Sequence, residues 1–81
     1  MAPNVTMYSR RQCGLCDKAR AAIQEGRHRG VEFEFHERFI DGDPALEDRY
    51  GMRVPVVLVD GREEFEYEVD PGRLRALLAS L

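Results

Sequence analysis

The sequence predicts a small α/β domain in which helices flank a four-stranded mixed sheet, in the order β-α-β-α-β-β-α. Three observations carry this expectation. A helical repeat of apolar residues starts at a Cys-x-x-Cys pair, two stretches alternate strictly between apolar and polar residues, and a continuous apolar run, Val54 to Val59, separates those two stretches. Eighty-one residues form one domain, 1–81, near the lower size limit for a single core without staples. The only two cysteines lie three positions apart, too close to tie distant parts of the chain together. Aliphatic and aromatic residues must therefore build the core, which suits a reduced, cytoplasmic setting.

Asn4 to Ser9 is β-prone and reads as a strand that feeds a loop, Arg10 to Gln12. From Cys13 onward Leu15, Ala19, Ala22 and Ile23 recur at helical spacing, so an amphipathic helix is expected, stopped by Gly26 or Gly30. Val31, Phe33 and Phe35 alternate with Glu32, Glu34 and His36, which predicts a strand over Val31–Glu37 with one wet face. Asp43-Pro44 has the form of an N-cap followed by a first-turn proline; Leu46 and Tyr50 then supply an apolar pair before Gly51 ends a short helix. The run Val54–Val59 is expected to be a strand buried on both faces, with Pro55 tolerated at its start. Asp60-Gly61-Arg62 turns the chain, and Phe65, Tyr67 and Val69 alternate with Glu64, Glu66 and Glu68 as the hairpin partner. Asp70-Pro71 repeats the cap signal ahead of a last helix marked by Leu74, Leu77, Leu78 and Leu81. The two alternating strands, each with an outward row of glutamates, suit the sheet edges, which leaves the first strand and the apolar run in the centre. A right-handed opening β-α-β unit makes its two strands parallel, and the tight turn makes the last two antiparallel.

Charge is unevenly distributed along the chain. Residues 1–30 carry six basic against two acidic side chains, a net +4, while the remainder carries six against thirteen, a net −7. The positive end coincides with the cysteines, where it steers anionic partners and favours thiolate. Arg20, Arg27 and Arg29 are equally explained as a solvated helix face. An acidic domain without aromatic platforms is not expected to bind nucleic acid. No charged region followed by an apolar run opens the chain, so neither a leader nor a membrane span is expected.

Two residues between the thiols allow Cys13 and Cys16 to share the first turn of a helix and to bridge reversibly. A structural zinc would need four ligands, yet there is no second cysteine pair, and His28 and His36 are too far apart for a finger pattern. Neither a metal nor another cofactor is expected. Lowering a thiol pKa from ~8.5 to about 6 takes roughly 3.4 kcal/mol. A helix terminus gives only ~0.3–1 kcal/mol, so a charge-assisted hydrogen bond of ~1.5–3 kcal/mol, from a backbone N–H or from the Cys16 thiol, must supply most of the rest. Arg10 and Arg11 add a little, and Asp17 opposes them wherever its carboxylate points at the sulfur. Cys13 is then the attacking and Cys16 the resolving residue. Around them Gly14 gives the substrate backbone access. Leu15 is either an apolar contact or, more commonly at such a position, a core leucine, and Tyr8 is expected in the core. Arg10 and Arg53 flank the site as substrate contacts or as plain surface arginines.

The stretch Tyr8-Ser9-Arg10-Arg11-Gln12-Cys13-Gly14-Leu15-Cys16-Asp17-Lys18-Ala19, together with Val54-Pro55 and this order of elements, resembles the glutaredoxin-like branch of the thioredoxin superfamily over nearly the whole chain. The resemblance implies a thioredoxin-like fold, a cis proline at Pro55, and dithiol exchange with a disulfide-containing protein or a low-molecular-weight thiol. Through that proline Val54 would present its backbone to an extended substrate. A monomer is expected. Glu66-Tyr67-Glu68-Val69-Asp70 stands where glutaredoxins place a glycine turn and an acidic pair, and Arg53 stands where they often have threonine. The reductant is therefore open among glutathione, thioredoxin and a reductase. Two other readings of the pair remain: a metal or iron–sulfur module using Cys13 and Cys16, and a non-catalytic adaptor.

Overall fold

The computed structural model describes residues 2–28 and 30–81. It contains β1 (Asn4–Ser9), α1 (Gly14–His28), β2 (Glu34–Phe39), α2 (Pro44–Tyr50), β3 (Val56–Val59), β4 (Arg62–Glu66) and α3 (Pro71–Ala79), with a 3-10 turn at Gly51–Arg53. The sheet order is β2-β1-β3-β4, with β1 parallel to β2 and antiparallel to β3, and β3 antiparallel to β4. The alternating strands occupy the edges and the apolar run lies inside, as the pattern predicts.

Local chemistry accounts for most boundaries. α1 passes through Gly26 and stops at the second candidate: Gly30, at φ +84°, donates to the Arg27 carbonyl while Val31 donates to that of Gly26, the bond pair of a Schellman stop. Asp43 caps α2 through the Leu46 N–H, and Asp70 caps α3 through those of Gly72 and Arg73. Asp60 and Gly61 both adopt positive φ between the paired Val59 and Arg62, the two-residue turn that suits strand twist. The expectations for Arg29 and for the His28 side chain lie outside the described residues.

Four expectations need correction. β3 begins at Val56 rather than Val54, because its ladder with β1 starts at the Tyr8–Val56 pair and the cis-bonded Val54 and Pro55 precede it. β2 begins at Glu34 rather than Val31 because its partner begins at Asn4, opposite Glu34; Val31 and Phe33 still turn inward, but ahead of the ladder. β4 ends at Glu66, so Tyr67 and Val69 are not strand residues. Tyr67 donates to the Pro55 carbonyl, Pro55 has no N–H to continue the ladder, and Tyr67 at φ +69° turns the chain away. Leu81 lies beyond α3 and is exposed.

Two apolar clusters result. Val5, Met7, Val57 and Val59 of the central strands pack with Ala19, Ile23, Leu74 and Leu78 of α1 and α3, joined by Phe33, Phe65 and Val69. The intervening strand residues Tyr8, Val56 and Leu58 meet Leu46 and Tyr50 of α2, and this second cluster extends to Ile40, Val54 and both cysteines. Tyr8, half-buried, stacks on buried Tyr50 with ring centroids 4.3 Å apart, so it packs against the core rather than within it.

Candidate functional site

The site begins where β1 delivers the chain to α1. After Ser9, fully buried, the backbone turns through Gln12 at φ +55° and enters the helix at Cys13. Cys13 and Cys16 are joined as a disulfide across one helical turn, their Cα atoms 5.2 Å apart. Cys16 is fully buried, whereas Cys13 is only partly covered. That asymmetry suits an outer sulfur that meets a partner and an inner one that does not. The backbone N–H of Cys16 points at Cys13 Sγ, 3.2 Å away, a main-chain donor of the kind that stabilises a thiolate.

Val54 and Pro55, joined by a cis peptide bond, are both buried, and Val54 packs in the same cluster as the two cysteines. Gly14 is exposed, and a Cβ built on it would meet nothing within 4 Å, so the approach past it is open. Leu15 is 43% exposed and is not a core leucine: on the first turn of α1 Cys16 takes the buried position, and Leu15 falls on the groove side. It lines a groove of about 490 Å³ together with Lys18 and Ala19 of α1, the Phe65–Asp70 run and Arg73.

The two flanking arginines are committed to neighbours within the chain. Arg10 donates to Glu47 at 3.1 Å and to the Gly51 carbonyl at 3.2 Å, with Asp41 3.6 Å away; the Arg11 N–H also donates to Asp41. Arg53 bonds Glu63, Glu66 and the Arg49 carbonyl. Arg10 thus fastens the loop before Cys13 to α2, and Arg53 fastens the segment before the cis proline to β4.

A polar cluster on the inner side of β2 was not expected from the sequence. Glu37 accepts from the Ser9 hydroxyl at 2.8 Å and from Arg20 Nε at 2.8 Å, with Arg20 Nη2 on its other oxygen, while Arg20 Nη1 reaches Asp17 at 2.8 Å. Arg20 holds the Glu37 carboxyl below the ordinary carboxylate range, and the two carboxylates raise the Arg20 guanidinium still further. Arg20 is therefore no simple solvated residue. The signal was present in the alternation, since Glu37 follows Val31, Phe33 and Phe35 on the inward phase. Among the described residues no group of three His, Cys, Asp or Glu side chains could hold a metal. No described helix is long and apolar enough to cross a membrane.

Residues 4–79 match the glutaredoxin-like domain (DUF836). The chain belongs to this glutaredoxin-like family. An uncharacterized protein of Mycobacterium tuberculosis is 37% identical over 95% of this chain and 84% of its own length. The X-ray structure of protein XcR50 from X. campestris superposes with a TM-score of 0.78 at 40% identity, covering 95% of this chain and 97% of that one. Mitochondrial thioredoxin 3 of Saccharomyces cerevisiae, solved in its oxidized form, is 15% identical, with a TM-score of 0.69 over 98% of this chain and 78% of its own; that likeness is one of fold. The glutaredoxin-like domain therefore has a thioredoxin-like fold, and its Cys-x-x-Cys pair sits at a helix start in an arrangement capable of redox chemistry.

Proposed function

We propose that this glutaredoxin-like domain is a dithiol thiol–disulfide oxidoreductase. The observation that carries the reading is the unequal pair, a partly exposed Cys13 whose sulfur receives the Cys16 N–H and a fully buried Cys16 one turn on. In the reduced form the Cys13 thiolate attacks a partner's disulfide, forming a Cys13–partner bond and releasing one partner thiolate. Cys16 then loses its proton and attacks Cys13 Sγ, which expels the second partner thiol and closes the Cys13–Cys16 disulfide. Two electrons pass to the partner, and an external dithiol or two monothiols must restore the pair.

Val54, Pro55, Gly14 and Leu15 form the expected substrate side, where an extended segment lies along the Val54 backbone. Arg10 and Arg53 contribute by holding the two loops that frame it. The groove at Leu15 also carries Glu66, Glu68 and Asp70 against Lys18 and Arg73, a lining that disfavours anionic glutathione relative to a protein partner. A reducing cytoplasm is the setting in which such a pair is recharged.

The test is transfer of thiols. Reduced domain mixed with an equimolar disulfide-bonded protein should lose two free thiols as the partner gains two, and Cys13→Ser should abolish the exchange. Unchanged thiol counts in the wild type, or full activity of Cys13→Ser, would overturn the reading.

A further inference from the structure

Cys13 immediately precedes α1 and Asp17 lies in its first turn, four residues on, where the Asp17 N–H donates to the Cys13 carbonyl at 3.1 Å. Side chains so spaced have Cβ atoms about 5–6 Å apart. A bare carboxylate there opposes ionisation of the Cys13 thiol. It is not bare: Arg20 Nη1 bonds Asp17 Oδ1 at 2.8 Å, although the Asp17 side chain is 70% exposed and otherwise free to swing. Arg20 is held in turn, its Nε and Nη2 on Glu37, and Glu37 is fixed by the hydroxyl of the fully buried Ser9. The chain of contacts runs from the last residue of β1 through β2 to the helix that carries both sulfurs.

The other charges on the elements around Cys13 are already engaged or lie elsewhere on the helix. Arg10 and Arg11 of its loop pair with Asp41, and Arg10 also with Glu47 of α2. Arg49 lies over the Tyr50 ring, Arg53 before β3 pairs with Glu63 and Glu66, and Lys18 lines the groove beside Leu15. Asp17 is the acidic residue on the α1 turn that carries the sulfurs.

We propose that Arg20 is a positioning residue for the thiolate: anchored by Glu37 and Ser9, it holds the Asp17 carboxylate and offsets part of its charge, so that Cys13 ionises more readily than it would beside an unpaired carboxylate. The proposal rests on the dithiol reading and assigns a role in it to residues outside the Cys-x-x-Cys motif. Coulomb's law for unit charges about 6 Å apart, at between half and all of water's dielectric constant, gives a rise of about half to one pKa unit when Arg20 is lost.

The experiment is the pH dependence of Cys13 alkylation by iodoacetamide in a Cys16→Ser background, measured with the whole chain, with thermal unfolding followed in parallel. Arg20→Gln should raise the Cys13 pKa by that amount and slow alkylation roughly three- to tenfold below it. Arg20→Lys should recover part of the loss. Asp17→Asn combined with Arg20→Gln should bring the pKa back close to the parent's, because Glu37 alone then carries the same net charge as the Glu37, Arg20 and Asp17 cluster of the parent. An unchanged pKa in Arg20→Gln would overturn the proposal even if the melting temperature falls, as would an equal rise with and without Asp17. Should Arg20→Gln not fold, Asp17→Asn with Arg20→Lys decides: no pKa difference between Arg20→Lys alone and the pair with Asp17→Asn refutes the role of Asp17. A parent pKa near that of free cysteine sinks the dithiol reading instead, so the two failures are distinguishable.

Discussion

Glu37→Gln removes one negative charge while keeping the shape of the side chain, and its cost can be worked from the contacts it disturbs. In the native chain Glu37 accepts from Arg20 at both oxygens and from Ser9, and its side chain is 16% exposed. An amide keeps one acceptor oxygen but turns an NH2 group toward a donor, so one charge-assisted hydrogen bond is lost and the other weakened. Charge-assisted bonds are worth ~1.5–3 kcal/mol, and the partial exposure of Arg20 places the expected loss near the lower end, about 2 kcal/mol. For a chain of this length that is a fall in melting temperature of roughly 8–16 °C.

The pH dependence has a definite sign. The Glu37 pKa is depressed in the folded chain, so its contribution is fully present above the ordinary value of 4.5 and is lost as pH falls through the depressed folded value. Urea unfolding of wild type and Glu37→Gln at a series of pH values should show a gap of about 2 kcal/mol at pH 7 that closes in acid, where protonated Glu37 resembles glutamine. A gap below about 0.5 kcal/mol at pH 7, or one that persists unchanged in acid, refutes the assigned network.

Three further outcomes are expected. Met7→Ala, at a fully buried position of β1, should cost about 2–5 kcal/mol by urea titration. Asp70→Ala removes the acceptor for the Gly72 and Arg73 N–H groups and should cost about 1 kcal/mol, read by the same method. Gly61→Ala, at φ +84° in the β3–β4 turn, should cost about 1–2 kcal/mol, although a Cβ there would meet nothing, because the penalty is one of backbone conformation.

The sheet order and the helix caps were legible because they depend on local patterns: alternation at the edges, the apolar run Val54–Val59, and the pairs Asp43-Pro44 and Asp70-Pro71. Strand ends were not, because a ladder stops where its partner stops. Glu34 pairs first because β1 starts at Asn4, and Tyr67 turns away because Pro55 has no N–H to offer. The cysteine pair and Val54-Pro55 pointed to the candidate site from sequence alone, and Val54 does pack in one cluster with both cysteines. The Ser9–Glu37–Arg20–Asp17 chain was hidden because its members lie on three elements, and each alone looks like an ordinary surface or strand-end residue. Only the inward phase of Glu37 pointed to it. Leu15 differs from expectation for a related reason: helical spacing puts it near the apolar face, but at the first turn Cys16 fills the buried position and leaves Leu15 to line the groove.

The division of labour between the two sulfurs is central to the proposed exchange, and trapping tests it directly. Reduced Cys16→Ser protein, incubated with a disulfide-bonded protein and quenched with acid, should accumulate a stoichiometric adduct that mass spectrometry places on Cys13 and that added dithiol releases. No adduct under conditions where the wild type exchanges thiols would contradict the assignment of Cys13 as the attacking residue and Cys16 as the resolving one.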